Sequence, residues 1–383
     1  ASYVGVREEF VARAPLPLTD VAIGDDGAMY FTIGGRGAQS ELFRVTYTGK
    51  ESTEPAGPAS DDYLGLRKLR RSLEAFHGQQ DPAAVQAGLT HLGHADRHIR
   101  YAARLALESQ PVASWQNDIF TRQNPTAVIN GVIALARQGD KRLQPRLLGA
   151  LASLGWARLG TEDRLGVLRA YSLTFIRMGA PDQAASATVL GQLDKAFPAG
   201  EHRLDRDLSQ LLAYVNSPTV IDKTLALMKK PSPVVKQDLA ALLSRNQGYG
   251  GTIARILANH PELQKIHYAF VLRTMRYGWT LEQRREYFKW LGDAGSRSGG
   301  ASYTGFLNNI RTEALANVSP AEKVALASTV VPPAVKLETL PKPRGPGQAW
   351  TVDQVVAAAR AGLAGRNFAN GRRSYQAARC GAC

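Results

Sequence analysis

The residues of this sequence best suited to chemistry are its only two cysteines, Cys380 and Cys383, which form a Cys-x-x-Cys pair at the carboxyl end. Thiols at this spacing have three common uses. They attach a c-type haem when a histidine follows, they cycle between dithiol and disulfide, or they supply half of a zinc site. The residue after Cys383, which would be the proximal iron ligand, is not part of this sequence.

The surroundings of the pair favour haem attachment over the other two uses. A zinc site of this kind needs a second cysteine pair, and the chain has no other cysteine. Gly371 and Tyr375 stand four residues apart, which puts them on one face of a helix, whereas a thiol redox pair usually follows a strand. We therefore expect Cys380 and Cys383 to bind haem, with a redox pair and a zinc site as alternatives.

No other group of residues has the spacing of a catalytic or metal site. The sequence shows no histidine beside a carboxylate at metalloenzyme spacing and no carboxylate pair typical of acid–base catalysis. We expect structural or surface roles for the histidines and packing between helices for four tryptophans. These residues are His77, His91, His94, His98, His202, His260, His267, Trp115, Trp156, Trp279 and Trp290. We predict no catalytic residue in this chain.

Length and charge limit the number of domains and the kinds of partner that the chain could have. The chain has 383 residues, enough for two or three domains, and no apolar run long enough to span a membrane. Its formal net charge of +14 would suit nucleic acid or an acidic redox partner. The basic residues are scattered, without runs of five or six like charges, which favours a solvated helical surface. We therefore predict no nucleic-acid partner and no membrane span.

The first 50 residues are the only region with strand patterning. Alternating apolar residues predict strands over 19–23, 29–33 and 42–47, and Gly24-Asp25-Asp26-Gly27 predicts a tight turn between the first two. Three strands with tight connections amount to one blade of a β-propeller. Because a lone blade cannot bury both faces, we expect the chain to be a fragment whose other blades precede it.

Helical signals dominate the rest of the chain. We predict a linker over 51–61, a mainly α, HEAT-like solenoid over 62–330, a proline-rich linker over 331–349 and a new domain over 350–383. Several predicted helices begin with a capping box or with a hydroxyl residue before proline. The capping boxes pair Thr280 with Gln283, Ser319 with Glu322 and Thr351 with Gln354, and the hydroxyl–proline pairs are Ser217-Pro218 and Ser232-Pro233.

Several runs resemble, in order, a family of large secreted bacterial proteins, best known from planctomycetes and verrucomicrobia. These proteins join a sugar-dehydrogenase-like β-propeller, a HEAT-like helical region and a C-terminal cytochrome c domain. The similar runs are 18–22, 30–37, 96–104, 278–280, 287–288, 299–306, 309–311 and 365–368, with Gly371, Tyr375 and Cys380-Gly381-Ala382-Cys383.

The resemblance implies a periplasmic or extracellular multidomain cytochrome that transfers electrons. Cys380 and Cys383 would be the thioether anchors of haem c, and residues 1–50 would be the last propeller blade. Related propellers hold pyrroloquinoline quinone and a carbohydrate-like substrate, which Arg36 would face unless its loop is a plain connector. A redox partner protein would receive the electrons, and the loop with Arg297 and Tyr303 would dock a neighbouring domain. The alternatives are an interaction scaffold without a redox role and a HEAT-like nucleic-acid binder.

Overall fold

A computed structural model describes residues 9–13, 16–35, 38–52, 54, 61–231, 261–297, 302–330, 347–362, 365 and 367–378. Within these ranges the chain is mainly helical, with sixteen α-helices after a single three-stranded sheet. The mainly α class predicted from the sequence is therefore confirmed.

The sheet is an antiparallel meander in chain order. Its strands are β1 (Leu18–Ile23), β2 (Met29–Gly35) and β3 (Ala38–Val45). The predicted tight turn joins β1 to β2, and Gly27 has the positive φ of 72° that such a turn favours. The prediction for the third strand was wrong in its bounds. The strand begins earlier because Ile33 and Gly35 pair with residues 41 and 38.

One face of this sheet is apolar and only partly covered. Val21, Phe31 and Phe43 are partners across the three strands, and the two phenylalanine rings stack with centroids 4.7 Å apart. Phe31 is buried, but Val21 and Ile23 on the edge strand are exposed. The sheet thus presents apolar surface at β1, where another element would gain free energy by packing.

The helices form two layers as far as α14. Helices α3, α5, α7, α9, α11 and α13 make a row in which each contacts the next, and the others pack beside the row or on one another. The helices are α1 (Leu64–Glu74), α2 (Pro82–His91), α3 (Arg97–Glu108), α4 (Gln116–Ile119), α5 (Pro125–Gln138), α6 (Gln144–Ser153), α7 (Thr161–Met178), α8 (Gln183–Leu193), α9 (His202–Tyr214), α10 (Val220–Lys229), α11 (Leu263–Leu272), α12 (Leu281–Ala294), α13 (Tyr303–Ala316), α14 (Pro320–Leu326), α15 (Val352–Ala361) and α16 (Phe368–Ala377).

A continuous apolar core runs between the layers, from Leu89 to Leu326. Trp115 is fully buried in it, and Trp156, Trp279 and Trp290 pack against it, which confirms their predicted packing role. The apolar face of α9 is buried as well, together with Val215 directly after the helix. Its residues are Leu204, Leu208, Leu211 and Leu212. Each large side chain buried in this way stabilises the fold by about 1.5–3 kcal/mol.

The local signals for helix starts are confirmed at three of the predicted positions. Thr280, Ser319 and Thr351 form complete capping boxes at α12, α14 and α15. The prediction for Ser217 was wrong, because its hydroxyl donates to the carboxylate of Asp194 and α10 begins only at Val220. Ser232 and Pro233 lie outside the described residues, as does most of the proline-rich linker 331–349.

Candidate functional site

The predicted haem anchors, Cys380 and Cys383, lie outside the described residues, and so does Arg36. The described chain reaches the cysteine pair through α16, which contains both Gly371 and Tyr375. The helix predicted ahead of the pair is therefore confirmed. In the described residues no group of three or more His, Cys, Asp or Glu could hold a metal ion.

The two helices nearest the cysteine pair carry exposed apolar side chains. Phe368 at the start of α16 is 84% exposed, and Tyr375 on the same helix is exposed too. Helix α15 has no buried residue and exposes Val352, Val355 and Val356. Both helices therefore leave apolar surface uncovered in the described residues.

A groove over α3, α5 and α7 is lined mostly by polar and charged side chains. This groove has a volume of about 660 Å³, and we call it the arginine groove. Helix α3 supplies one wall, α5 supplies the floor and the start of α7 supplies the other wall. The lining side chains used below are Arg97, Arg100, Tyr101, Arg104, Thr126, Ile129, Asn130, Glu162 and Asp163.

The wall formed by α3 carries excess positive charge. Arg104 Nε lies 3.2 Å from Glu108 Oε1, and Arg137 Nε donates to Glu108 Oε2 at 2.8 Å. Two guanidinium groups therefore share one buried carboxylate. Burial lowers the pKa of Arg104, Glu108 opposes this, and the nearby charges of Arg137 and Arg169 lower the pKa further. Among the described residues, Arg104 Nε has no hydrogen-bond partner of good geometry.

The acidic groups on the opposite wall already have partners. Thr126 Oγ1 donates to Asp163 Oδ1 at 2.8 Å, and Arg203 Nη1 lies 3.0 Å from Glu162 Oε1. The groove is thus lined by Arg97, Arg100 and Arg104, and the charges of Arg137 and Arg169 lie near Arg104. Such a surface can bind a carboxylate or a phosphate.

A second depression, of about 360 Å³, lies where α7, α9 and α11 end. We call it the aromatic pocket. The ring of Phe175 stacks on Tyr214 with centroids 5.6 Å apart, and the Arg273 guanidinium lies 3.5 Å from the centroid of Phe270. Ile176 at its border is 71% exposed. An apolar side chain that entered the pocket would contact aromatic rings on several sides.

The loop predicted to dock a neighbouring domain has its two named side chains turned toward the helical region. Arg297 Nη2 lies 2.9 Å from Glu262 Oε2, and Tyr303 Oη donates to the carbonyl oxygen of Ala294 at 2.8 Å. Residues 298–301 lie outside the described ranges. These contacts stabilise the packing of α11 to α13, and the docking role of the loop stays a prediction.

Comparison with models of known protein families, with curated proteins and with solved structures gave no match. Among the described residues, no helix is long and apolar enough to cross a membrane.

Sequence reasoning missed the arginine groove. One signal was visible, since Arg97, Arg100 and Arg104 recur at helical spacing. Arg137 and Arg169 are contributed by two other helices, and their approach to Arg104 depends on how those helices pack.

Proposed function

We propose that this chain is the helical and haem-anchoring part of a periplasmic multidomain c-type cytochrome that passes electrons to a redox partner protein. The observation that carries the proposal is the Cys380-x-x-Cys383 pair directly after an amphipathic helix. Cys380 and Cys383 would hold the porphyrin through two thioether bonds, and a histidine after Cys383 would be the iron ligand. The haem supplies one-electron redox chemistry.

Three features of the described residues support this proposal. The helices α15 and α16, which precede the cysteine pair in the chain, expose apolar side chains that a porphyrin could cover. Each helix in the row from α3 to α13 contacts the next, which is compatible with a HEAT-like solenoid that would hold redox centres at a fixed separation. The sheet has an uncovered apolar edge at Val21 and Ile23, as the last blade of a propeller would have before its neighbour.

The rest of the proposed function is carried by the family resemblance. A complete propeller ahead of this chain would bind pyrroloquinoline quinone and oxidise a carbohydrate-like substrate. The described residues of the chain supply packing and a fixed geometry, and the oxidation belongs to that propeller.

Absorption spectroscopy of the full-length native protein tests the haem proposal. We expect a c-type haemochrome spectrum that persists after acid–acetone extraction, because thioether bonds hold the porphyrin covalently. Cys380→Ala with Cys383→Ala should abolish the covalent pigment, and either single variant should shift the spectrum toward that of a single thioether. A native protein without covalent haem would contradict the proposal and leave an interaction scaffold as the function.

A further inference from the structure

One side of α7 joins the arginine groove to the aromatic pocket. Gly166 lines the groove and Ile176 lines the pocket, with Arg169 and Leu173 between them. Residues at these spacings share one face of a helix. Ten residues of α-helix rise about 15 Å, so the two sites lie roughly that far apart along the helix axis.

The two sites differ in the chemistry they would bind. At the groove, the three guanidinium groups of Arg104, Arg137 and Arg169 outnumber the two acids near them, Glu108 and Asp207. A further carboxylate placed there would pair with Arg104, which is already partly removed from water, and with the exposed Arg169. At the pocket, Tyr214 and Phe270 present aromatic surface, beside the polar side chains of Ser172, Gln210, Arg273 and Thr274.

We propose that the arginine groove and the aromatic pocket form one docking surface for an acidic polypeptide segment. Its carboxylates pair with Arg104 and Arg169, and a large apolar side chain enters the pocket beside Tyr214. An extended chain advances about 3.3 Å per residue, so the apolar side chain lies three to five residues from the carboxylates.

The charge pattern favours a polypeptide over a nucleic acid. Glu162 and Asp163 border the groove, and Asp207 lies near Arg169 and Arg206. A nucleic acid carries a phosphate at every nucleotide and would bring some of them near these carboxylates. A polypeptide can carry acidic side chains only at the positions that face the arginines. This proposal concerns the helical region alone and stands whether or not Cys380 and Cys383 carry haem.

Selection from a random dodecapeptide library displayed on phage tests the proposal on the full chain. We expect the selected peptides to contain two or more acidic residues and a Phe, Trp or Leu three to five positions away. Synthetic copies, measured by fluorescence anisotropy at about 0.15 M salt, should bind the unaltered protein and weaken as salt rises.

Matched variants show whether those peptides occupy the proposed surface. Arg104→Gln with Arg169→Gln should raise the Kd at least about tenfold, and so should Tyr214→Ala. Arg142→Gln with Arg285→Gln removes the same charge from exposed side chains elsewhere and should change the Kd by less than about twofold. Circular dichroism melting curves establish that each variant is folded.

Several results would overturn the proposal. They are a selection that yields no binders, binders without acidic residues, or equal losses of affinity in the groove and control variants. Tighter binding by a single-stranded 20-nucleotide DNA than by any selected peptide, lost in the groove variant, would assign the surface to nucleic acid instead.

Discussion

Arg284 is the residue that most clearly ties separate helices together. It is 5% exposed, its Nε donates to Glu322 Oε1 at 2.9 Å, and its Nη2 donates to the carbonyl oxygens of Arg276 and Asn317 at 3.2 Å. The guanidinium also lies over the ring of Trp279. One side chain therefore satisfies acceptors on α14 and on the two loops that precede α12 and α14.

We expect Arg284→Met to lower the free energy of unfolding by about 2–4 kcal/mol, because methionine fills the space but leaves the carbonyl and carboxylate acceptors without their donor. Urea denaturation followed by circular dichroism measures the change. The neighbouring Arg285 is exposed and lies 3.4 Å from Glu282, so Arg285→Met should cost less than about 0.5 kcal/mol. Equal losses in the two variants would contradict this account of Arg284.

Two carboxylates should give opposite pH dependence of stability. Burial acts to raise the pKa of Asp194, but hydrogen bonds from Ser217, Thr219 and Lys223 outweigh it and hold the pKa below its ordinary value. Burial raises the pKa of Asp205 above its ordinary value, although the amide of Ala199 donates to it at 2.6 Å. Ionised Asp194 therefore stabilises the fold, and ionised Asp205 opposes it.

The prediction compares Asp194→Asn and Asp205→Asn with the unaltered protein between pH 7 and pH 3. At pH 7 the unaltered protein should have a higher free energy of unfolding than Asp194→Asn. This difference should disappear as the pH falls through the lowered pKa of Asp194. Asp205→Asn should raise the free energy of unfolding most at pH 7, relative to the unaltered protein. This gain should disappear as the pH falls through the raised pKa of Asp205. Urea denaturation at each pH measures both differences, and slopes of the same sign would refute the assignment.

At the scale of elements, α2 and α3 approach each other closely at a glycine. A Cβ on Gly88 of α2 would lie 2.6 Å from Leu107 Cγ and 2.9 Å from the carbonyl oxygen of Ala103, both on α3. Real Cβ atoms do not approach other atoms so closely, so α2 would have to move away from α3. Gly149 of α6 has no such neighbour among the described residues.

We therefore expect opposite effects from the same substitution in two helices. Gly88→Ala should destabilise the protein by about 1–3 kcal/mol, because overpacking outweighs the better helix propensity of alanine. Gly149→Ala should stabilise it by about 0.5–1 kcal/mol, because alanine favours the helix and meets nothing. Thermal or urea unfolding distinguishes them, and stabilisation by both would show that α2 and α3 are less closely packed than described.

The elements that the sequence predicted well are those specified by nearby residues. The turn at Gly27 and the capping boxes at Thr280, Ser319 and Thr351 each depend on residues within four positions. Ser217 failed because its partner Asp194 is 23 residues earlier in the chain. The groove was missed for the same reason, since its charge depends on the packing of α3, α5 and α7.

At the scale of the whole molecule, the described parts form a helical body preceded by a small sheet, and the proposed chemistry lies at the end of the chain. The row of helices from α3 to α13 shares one apolar core. The net charge of +14 already counts the acids of ion pairs such as Arg137 with Glu108 and Arg273 with Glu313, so it is a true excess of basic side chains. The docking surface on α7 would orient an acidic partner on this body.

Mass spectrometry of the tryptic peptide that begins at Cys380 tests the central claim most directly. Trypsin cleaves after Arg379, so digestion of the native protein isolates the cysteine pair from the rest of the chain. We predict a peptide with a histidine after Cys383 that carries the mass of one haem, bound through both sulfur atoms. The same peptide recovered with free thiols or an internal disulfide, and without haem, would contradict the claim.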